Sequence, residues 1–274
     1  MILNTFVLIY RLKFPYLPNL MKSKRSSLLF LYSLLIAFSA SGQSKYAFSN
    51  KIANIQVIYN HHFVSGDIAK TFGNFNSVGT GGLLKTKTNW IISCELNYLF
   101  GSEIKNQHML DNLVNGGGYI AAASGAPGNY SVNMRGYEAF VNGGRVFGLN
   151  KFNMNSGIFV QVGAGFLQHR INFQTQENNI PQLDANYRKG YDRLTYGVAL
   201  NEFVGYYLQS KNRLINFYVG VDLVQAYTHN VREFNYDTRQ YDKDLKHDYL
   251  TSIRFGWMIP IYLNTKDENE FQFK

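Results

Sequence analysis

The chain has 274 residues, of which 46% are apolar, and this apolar content excludes intrinsic disorder. Charged residues make up only 16% of the sequence and aromatic residues another 16%, with 20 Tyr and 21 Phe. The charged fraction of soluble domains is higher, roughly 25%. The single cysteine, Cys94, excludes an intramolecular disulfide and a zinc site built from cysteines. Together these features favour a β-rich or membrane-facing protein.

Residues 21–43 contain the three parts of a secretory signal peptide, namely a basic start, an apolar run over 28–38 and small residues at the end. The apolar run is too short for a spanning helix, which needs about 20 residues. We therefore expect Met21 to be the true start, cleavage after Gly42 and export of the mature chain. The predicted division is 1–42, a signal peptide with an upstream extension, and 43–274, a barrel domain with a short polar C-terminal tail.

The formal net charge of +9 overstates the charge of the mature chain. Residues 1–42 contain 5 of the 27 basic residues and none of the 18 acidic ones, which leaves 22 against 18, or about +4. The sequence therefore gives no support for nucleic-acid binding, and we expect no nucleic-acid partner.

Segments in which apolar and polar residues alternate with a period of two predict strands throughout the mature chain. In the clearest example, residues 88–101, the even positions from Trp90 to Phe100 are apolar and face outward, while Glu95 faces inward. We expect bulges or misassigned faces near Arg145 and Glu202, where the alternation falters. Eight strands are predicted in chain order, at 52–61, 77–85, 88–101, 137–147, 157–166, 196–208, 215–224 and 252–263.

The predicted connections alternate in length. Short links are expected at 85–89, 149–153 and 210–213, and long ones at 63–75, 102–135, 174–192 and 230–247. An even number of strands with short turns at one end and long loops at the other is typical of outer-membrane barrels. The predicted fold is therefore all-β, a transmembrane antiparallel up-and-down β-barrel of eight strands. A secreted β-sandwich is the alternative, but it would not need an aromatic-flanked apolar face on every strong strand.

Residues 50–263 resemble the small eight-stranded outer-membrane barrels of OmpA/OmpX type. In the last strand Arg254, Gly256, Ile259 and Ile261 are similar to the assembly signal of such barrels, a polar residue and a glycine followed by two spaced hydrophobic residues. The resemblance implies the outer membrane of a Gram-negative cell as the location. It also implies contact with outer-membrane lipid, lipopolysaccharide and the barrel assembly machinery. The family usually ends at an aromatic residue of the last strand, whereas residues 264–274 here form a polar tail without a predicted role.

Three charged residues, Glu95, Asp222 and Arg254, fall on inward faces, where isolated charge is expensive and ion pairing is expected. If the last long loop is symmetric about Thr238, Asp222 and Arg254 lie directly opposite each other. The favoured hypothesis is a structural ion cluster that plugs the lumen, and a gated narrow pore is the alternative.

The six histidines, placed in the long loops or at the adjacent strand ends, raise the alternative of a rim-located hydrolase. No spacing joins a serine, a histidine and an acid, so no catalytic, metal or cofactor site is predicted. The histidines are His61, His62, His108, His169, His229 and His247.

The second long loop combines a predicted amphipathic helix over 103–114, with its apolar side at Ile104, Met109, Leu113 and Val114, and an apolar glycine-rich stretch over 116–128. Its three glycines do not form a phosphate loop, because no Lys-Ser/Thr pair follows them. Either the loop is a lid over the barrel mouth, or it presents Tyr119 and Ile120 to a partner. The predicted role is thus structural or interactive, with long surface loops offered to a surface or envelope protein or to glycolipid.

Overall fold

The computed structural model describes residues 51–150, 153–175, 180–210, 214–232 and 234–262. The predicted signal peptide, its cleavage site, Leu263 and the C-terminal tail lie outside the described residues. The strands are β1 Ile52–Gly66, β2 Phe75–Lys85, β3 Trp90–Gly101, β4 Tyr130–Asn150, β5 Asn153–Thr175, β6 Thr195–Gln209, β7 Asn216–Asn230, β8 Phe234–Asn235, β9 Gln240–Tyr241 and β10 Lys246–Tyr262.

Eight of these strands form one closed antiparallel barrel in the order β1-β10-β7-β6-β5-β4-β3-β2, and the pairing of β1 with β10 closes the ring. The predicted fold is confirmed. Strands β8 and β9 form a separate two-stranded hairpin within the last long loop. Closure leaves no free sheet edge, so the barrel wall pairs its own backbone groups, which is the condition for crossing a lipid bilayer.

The strands are longer at the loop end than the sequence predicts. β4 has 21 residues and β5 has 23, and both continue well beyond their predicted limits. On β5 the outward positions beyond Phe166 are polar, namely Gln168, Arg170, Asn172 and Gln174. Beyond the membrane the pattern is reversed, because water surrounds the outer face while the inward residues Leu167, Ile171 and Phe173 are apolar and buried. We name the four connections at this end L1 (67–74), L2 (102–129), L3 (176–194) and L4 (231–245).

Of the two alternatives, bulges are wrong at both Arg145 and Glu202. Pairing with β3 extends without a break as far as Arg145, pairing with β5 continues through it, and pairing continues through Glu202 on both sides of β6. The irregularity of β4 lies between Gly148 and Asn150, beside the short turn. At Arg145 the alternation falters because a charged side chain occupies an outward position, where an apolar residue was expected. Its guanidinium lies outside the barrel, 5.4 Å from the ring centre of Trp90.

The register of the last hairpin also differs from the prediction. Asp222 pairs with Ser252, and Arg254 pairs with Gly220, so the hairpin is symmetric about residue 237 and not about Thr238. When the centre of the hairpin moves by one residue, the cross-strand partner of each residue moves by two positions, so the new partner points to the same face of the sheet. Asp222 and Arg254 are therefore diagonal neighbours on the lumen face, and their predicted direct opposition is wrong.

Two hydrophobic clusters fill the barrel, one toward the loops and one toward the short turns. The turn-end cluster contains Leu83, Ile91, Val146, Phe159, Phe203, Tyr207, Tyr218 and Met258. The loop-end cluster includes Leu99, Val224 and Leu250 from the strands. On β3, β7 and β10 the inward charged residue lies between a member of one cluster and a member of the other. The interior is thus layered as apolar, polar and apolar.

The outer face carries an apolar belt. Along β3 the eleven residues from Trp90 to Phe100, at the tilt of such strands, cover about 25 Å, the height expected of a membrane-facing band. Trp90 and Trp257 lie at its turn end, and Tyr59, Tyr98 and Tyr137 lie toward its loop end, as interfacial aromatic residues do. The exposed aliphatic residues of the belt include Ile55, Val57, Val78, Leu84, Ile92, Leu96, Val141, Val198, Val204, Val219, Val221, Ile253 and Ile259.

A closed antiparallel barrel with an apolar belt, aromatic girdles and polar groups inside is the architecture that spans outer membranes. The chain is an outer-membrane β-barrel protein. Within the described part of the chain, none of the helices has the length and apolar character required for a membrane span.

Candidate functional site

Arg254 on β10 reaches across the lumen to carboxylates on two other strands. Its Nη2 atom lies 3.0 Å from Glu95 Oε1 on β3 and 3.1 Å from Asp222 Oδ2 on β7. Its Nε donates to Asn60 Oδ1 at 3.0 Å. All four side chains are buried. The structure therefore brings Glu95, Asp222 and Arg254 together, and the planar guanidinium suits this role because its donors spread in a fixed fork.

A third carboxylate, Glu138 on β4, joins this polar layer and was missed by the sequence analysis. It is fully buried, and its Oε1 accepts a hydrogen bond from Asn97 Nδ2 at 3.0 Å. Sequence reasoning missed it because the segment 137–147 alternates weakly. Tyr137 is exposed, as an aromatic residue of the girdle is. Assigning it to the outer face would have predicted that Glu138 points inward, because neighbouring residues of a strand face opposite sides.

The lumen is also closed on the turn side of the ion cluster. Tyr218 donates to Gln56 Oε1 at 3.0 Å, and Asn54 Nδ2 donates to the Tyr207 hydroxyl at 3.2 Å. These four side chains are buried and come from three different strands, β1, β6 and β7. Hydrogen bonds across a narrow barrel fix the strands relative to one another, so the lumen layer is suited to a structural plug.

The histidines do not form one rim cluster. Five of the six lie within strands, because the strands extend further than predicted, and His108 lies in a 3-10 helix. His62 is buried between Ser77 Oγ, at 2.8 Å, and Ser252 Oγ, at 2.6 Å. His169 Nε2 lies 3.2 Å from Asp248 Oδ2. Among the described residues, the buried Nδ1 of His169 has no hydrogen-bond partner, so no hydroxyl nucleophile accompanies this acid and base.

L2 folds onto the barrel mouth. It contains a 3-10 helix, Gln107–Leu113, in which Met109 and Leu110 are buried. Met109 and the partly buried Ile104 and Leu113 lie on the apolar side as predicted, whereas Val114 is exposed and Leu110 takes its place in the core. The helix is 3-10 and not α-helical, and it carries no side-chain cap.

The stretch that follows the 3-10 helix does not offer Ile120 to a partner. Ile120 is 2% exposed and belongs to the loop-end cluster with Ile180, Leu183 and Tyr191 of L3, while Tyr119 is half-buried. The prediction that Ile120 contacts a partner is therefore corrected, because an apolar side chain that packs between two loops has no surface left to present. The lid interpretation of L2 agrees with this packing.

Ion pairs fasten L3 to L4. Arg232 donates from Nε to Asp192 Oδ1 at 2.9 Å and from Nη2 to Asp192 Oδ2 at 2.7 Å, and the hydrogen bond to Asp192 raises the pKa of Arg232. Arg193 pairs with Asp237. Asn112 in L2 donates to the Asp237 backbone carbonyl at 3.2 Å, so all three loops are joined. Bidentate arginine pairs of this kind add geometric specificity as well as energy.

L4 is also fastened to the barrel mouth at Asp242. Its Oδ2 accepts from Lys246 Nζ at 2.7 Å, from Asn230 Nδ2 at 3.2 Å and from Asn235 Nδ2 at 3.3 Å. Burial raises the pKa of the Asp242 carboxyl, but the hydrogen bonds from Lys246 and the two asparagines, with the charge of Lys246, outweigh it, so the pKa is lowered. The ionised carboxylate is therefore favoured in the folded loop.

Asp242→Asn should loosen L4 more at neutral pH than at pH 3. A carboxyl whose pKa is lowered on folding contributes stability above its unfolded pKa of about 3.9, and this is lost as pH falls through the lower folded value. At pH 7 amide hydrogen exchange in residues 230–246, corrected for intrinsic rates, should rise roughly two- to fivefold. Asp244→Asn is the matched control, because no ion pair of Asp244 is found among the described residues. An equal effect of Asp242→Asn at both pH values would contradict the assignment.

The three fastened loops enclose a cleft of about 640 Å³. Its walls come from L2, L3 and L4. The lining residues are Asn112, Leu113, Pro181, Gln182, Tyr187, Tyr191, Phe234, Tyr236 and Arg239. The sequence analysis found no signal for this cleft, since its residues are brought together by three separate loops.

Comparisons with known proteins return only distant structural similarity. No family model and no curated protein sequence matches the chain. The outer-membrane protein Ail of Yersinia pestis is 8% identical, with a TM-score of 0.39, over 77% of this chain and 100% of that one. Neisserial surface protein A is 10% identical, with a TM-score of 0.35, over 76% and 96% of the two chains. The N-terminal β-barrel domain of Pseudomonas aeruginosa OprF is 12% identical, with a TM-score of 0.30, over 78% and 100%. These values are too low to say anything of function, and the fold rests on the closed strand order itself.

Proposed function

We propose that this protein is a surface-display barrel: a closed outer-membrane support that holds L2, L3 and L4 in a fixed arrangement for contact with a surface partner or glycolipid. The observation that carries the proposal is the packing of the loops. Leu110 and Ile120 from L2 and Leu183 from L3 are buried in the loop-end cluster, where they pack together with residues of the strands. The arginine pairs at Asp192 and Asp237 fasten the loops from outside. Loops that served only as connections would not need such a core.

The two alternatives have weaker support. A rim hydrolase requires a nucleophile, a base and an orienting acid in contact. Within the described residues His169 has the acid Asp248 without a nucleophile, and His62 has Ser77 and Ser252 with no hydrogen bond to a carboxylate. A pore requires a continuous path, whereas Arg254 and the two hydrophobic clusters occupy the lumen. The non-enzymatic role stays part of our proposal, as does the assembly-signal role of Arg254, Gly256, Ile259 and Ile261.

Labelling in intact cells tests the display arrangement. In a Cys94→Ser background, Lys243→Cys in L4 should react with a membrane-impermeant maleimide, whereas Thr88→Cys in the short turn between β2 and β3 should react only after the cells are opened. Both positions are exposed, so a difference between them reports the side of the membrane and not burial. Cys94 faces outward within the apolar belt, which makes serine there a mild change.

Labelling of Thr88→Cys but not Lys243→Cys in intact cells would mean that the loops face the periplasm, and the display proposal would then fail. Labelling of neither in intact cells and both after opening would place the barrel in another compartment. Each result is read against heat-dependent mobility on detergent gels, which shows that the variant barrel has folded.

A further inference from the structure

We propose that the cleft between L2, L3 and L4 binds a sugar unit that carries a carboxylate, at the end of an oligosaccharide chain. This inference rests on the display function and adds to it the chemical class of ligand. The cleft volume of about 640 Å³ lies within the range of small-molecule sites, about 300–1,000 Å³.

Four of the nine lining residues of the cleft are aromatic. Tyr187 is 57% exposed and Tyr236 is 41% exposed. Tyr191 meets Tyr236 edge to face, with ring centres 5.5 Å apart, and Phe234 meets Tyr236 at 6.0 Å. The cleft is therefore a rigid aromatic surface whose rings are open to a ligand from one side.

Three polar side chains, those of Arg239, Gln182 and Asn112, also line the cleft, and they differ in burial and hydrogen bonding. Arg239 is exposed and makes no ion pair or hydrogen bond within the described part of the chain, and it is the one charged residue among the described lining residues. The side-chain oxygen of Gln182 is buried without a hydrogen-bond partner among those same residues. Asn112 donates to backbone carbonyls of L4 and so holds the wall together.

This combination favours a sugar acid over a purely apolar ligand. The C–H faces of a pyranose ring can lie against tyrosine rings, whose apolar body and polar tip suit a ligand that is both apolar and hydroxylated. The unpartnered Gln182 oxygen stays desolvated at a cost, and a sugar hydroxyl can donate to it once that side chain turns toward the cleft. The Arg239 guanidinium, with two parallel N–H groups, matches a carboxylate in geometry and charge.

The loop clamps make the cleft suitable for binding without large rearrangement. The Arg232–Asp192 and Arg193–Asp237 pairs hold L4 against L3. Gly190 lies directly under the ring of Tyr236, where a side chain would displace that ring. A preformed wall lowers the ordering cost that a flexible loop would bring to binding.

Titration of the purified, folded barrel with sialyllactose and with lactose tests the proposal, since the two differ by the sugar acid. We expect sialyllactose to bind about tenfold more tightly, and Arg239→Gln to abolish this preference. Tyr187→Ala should weaken both ligands, because stacking does not depend on charge. Lys243→Gln is the matched control, since it removes a cation from the same loop outside the cleft and should change neither affinity.

Absence of sialyllactose binding at millimolar concentration would overturn the inference, as would an acid preference that survives Arg239→Gln. An equal loss in Lys243→Gln would also overturn it, because the effect would then be general attraction to a basic surface. The display proposal is tested separately by the labelling experiment. Loops that are labelled in cells but bind no sugar would leave that proposal standing and remove only this one.

Discussion

Arg254→Met should destabilise the barrel by about 3–5 kcal/mol, the cost of leaving buried charges without their partner. The change leaves the carboxylates of Glu95 and Asp222, both buried, without the guanidinium that lies about 3 Å from each. Methionine replaces the apolar stem of arginine and adds no polar group, although it does not fill the space of the guanidinium, so lost packing contributes to the expected destabilisation. The free energy of unfolding is measured by urea titration of the barrel refolded into lipid vesicles. Arg170→Met, an exposed outer-face change on β5, should alter it by less than about 0.5 kcal/mol.

Neutralising both carboxylates together with Arg254 separates the cost of leaving charges unpaired from the stability that the intact ion cluster contributes. The variant Arg254→Met, Glu95→Gln, Asp222→Asn should recover most of the lost stability, because replacing a whole buried ion cluster is often close to neutral. If the single variant loses less than about 1 kcal/mol, the layer is hydrated and the plug hypothesis fails. Planar-bilayer recordings give a second reading, since a closed lumen predicts negligible conductance of the wild-type barrel and step currents would favour the pore.

The barrel itself could be predicted because the membrane imposes its pattern on every second residue. On β3 the lipid requires apolar side chains at positions such as Ile92 and Leu96, while the lumen accepts Ser93 and Asn97 between them. The same constraint ends where the strand leaves the membrane. The predicted strand ends were therefore too short at the loop side, and His61 and His169 were expected at strand ends when they lie within β1 and β5.

The features that were not predicted depend on contacts between residues far apart in the chain. The register of the β7–β10 hairpin cannot be derived from L4, because a loop of this length follows no turn rule that fixes its centre. Burial of Ile120 depends on Ile180 of another loop, and the cleft depends on three loops at once. Residues in irregular loops follow no periodic pattern, so the sequence does not signal which of them pack together.

Gly256 shows how a position in a sequence motif can have a packing explanation. It is the glycine of the assembly-signal-like set on β10, and in the structure the ring of Tyr218 lies directly over it. Tyr218 is buried, donates to Gln56 and meets the rings of Phe159 and Phe203 at 5.8 and 5.5 Å. A Cβ atom at residue 256 would collide with the Tyr218 ring, so glycine is required for this layer of the lumen to close.

Gly256→Val should therefore destabilise the purified, refolded barrel by about 1–3 kcal/mol, the usual cost of overpacking a filled interior, or prevent folding altogether. Gly143→Val is the matched control, since a Cβ there meets nothing within 4 Å on the outer face, and a β-branched residue suits a strand. Adding Tyr218→Leu to Gly256→Val should restore part of the loss, because the smaller side chain frees the space that valine needs. An assembly signal acts differently, since it predicts slow insertion in cells with normal stability after refolding in vitro. If Gly256→Val is as stable as Gly143→Val in vitro and fails only in cells, recognition by the assembly machinery, and not the contact with Tyr218, explains the glycine.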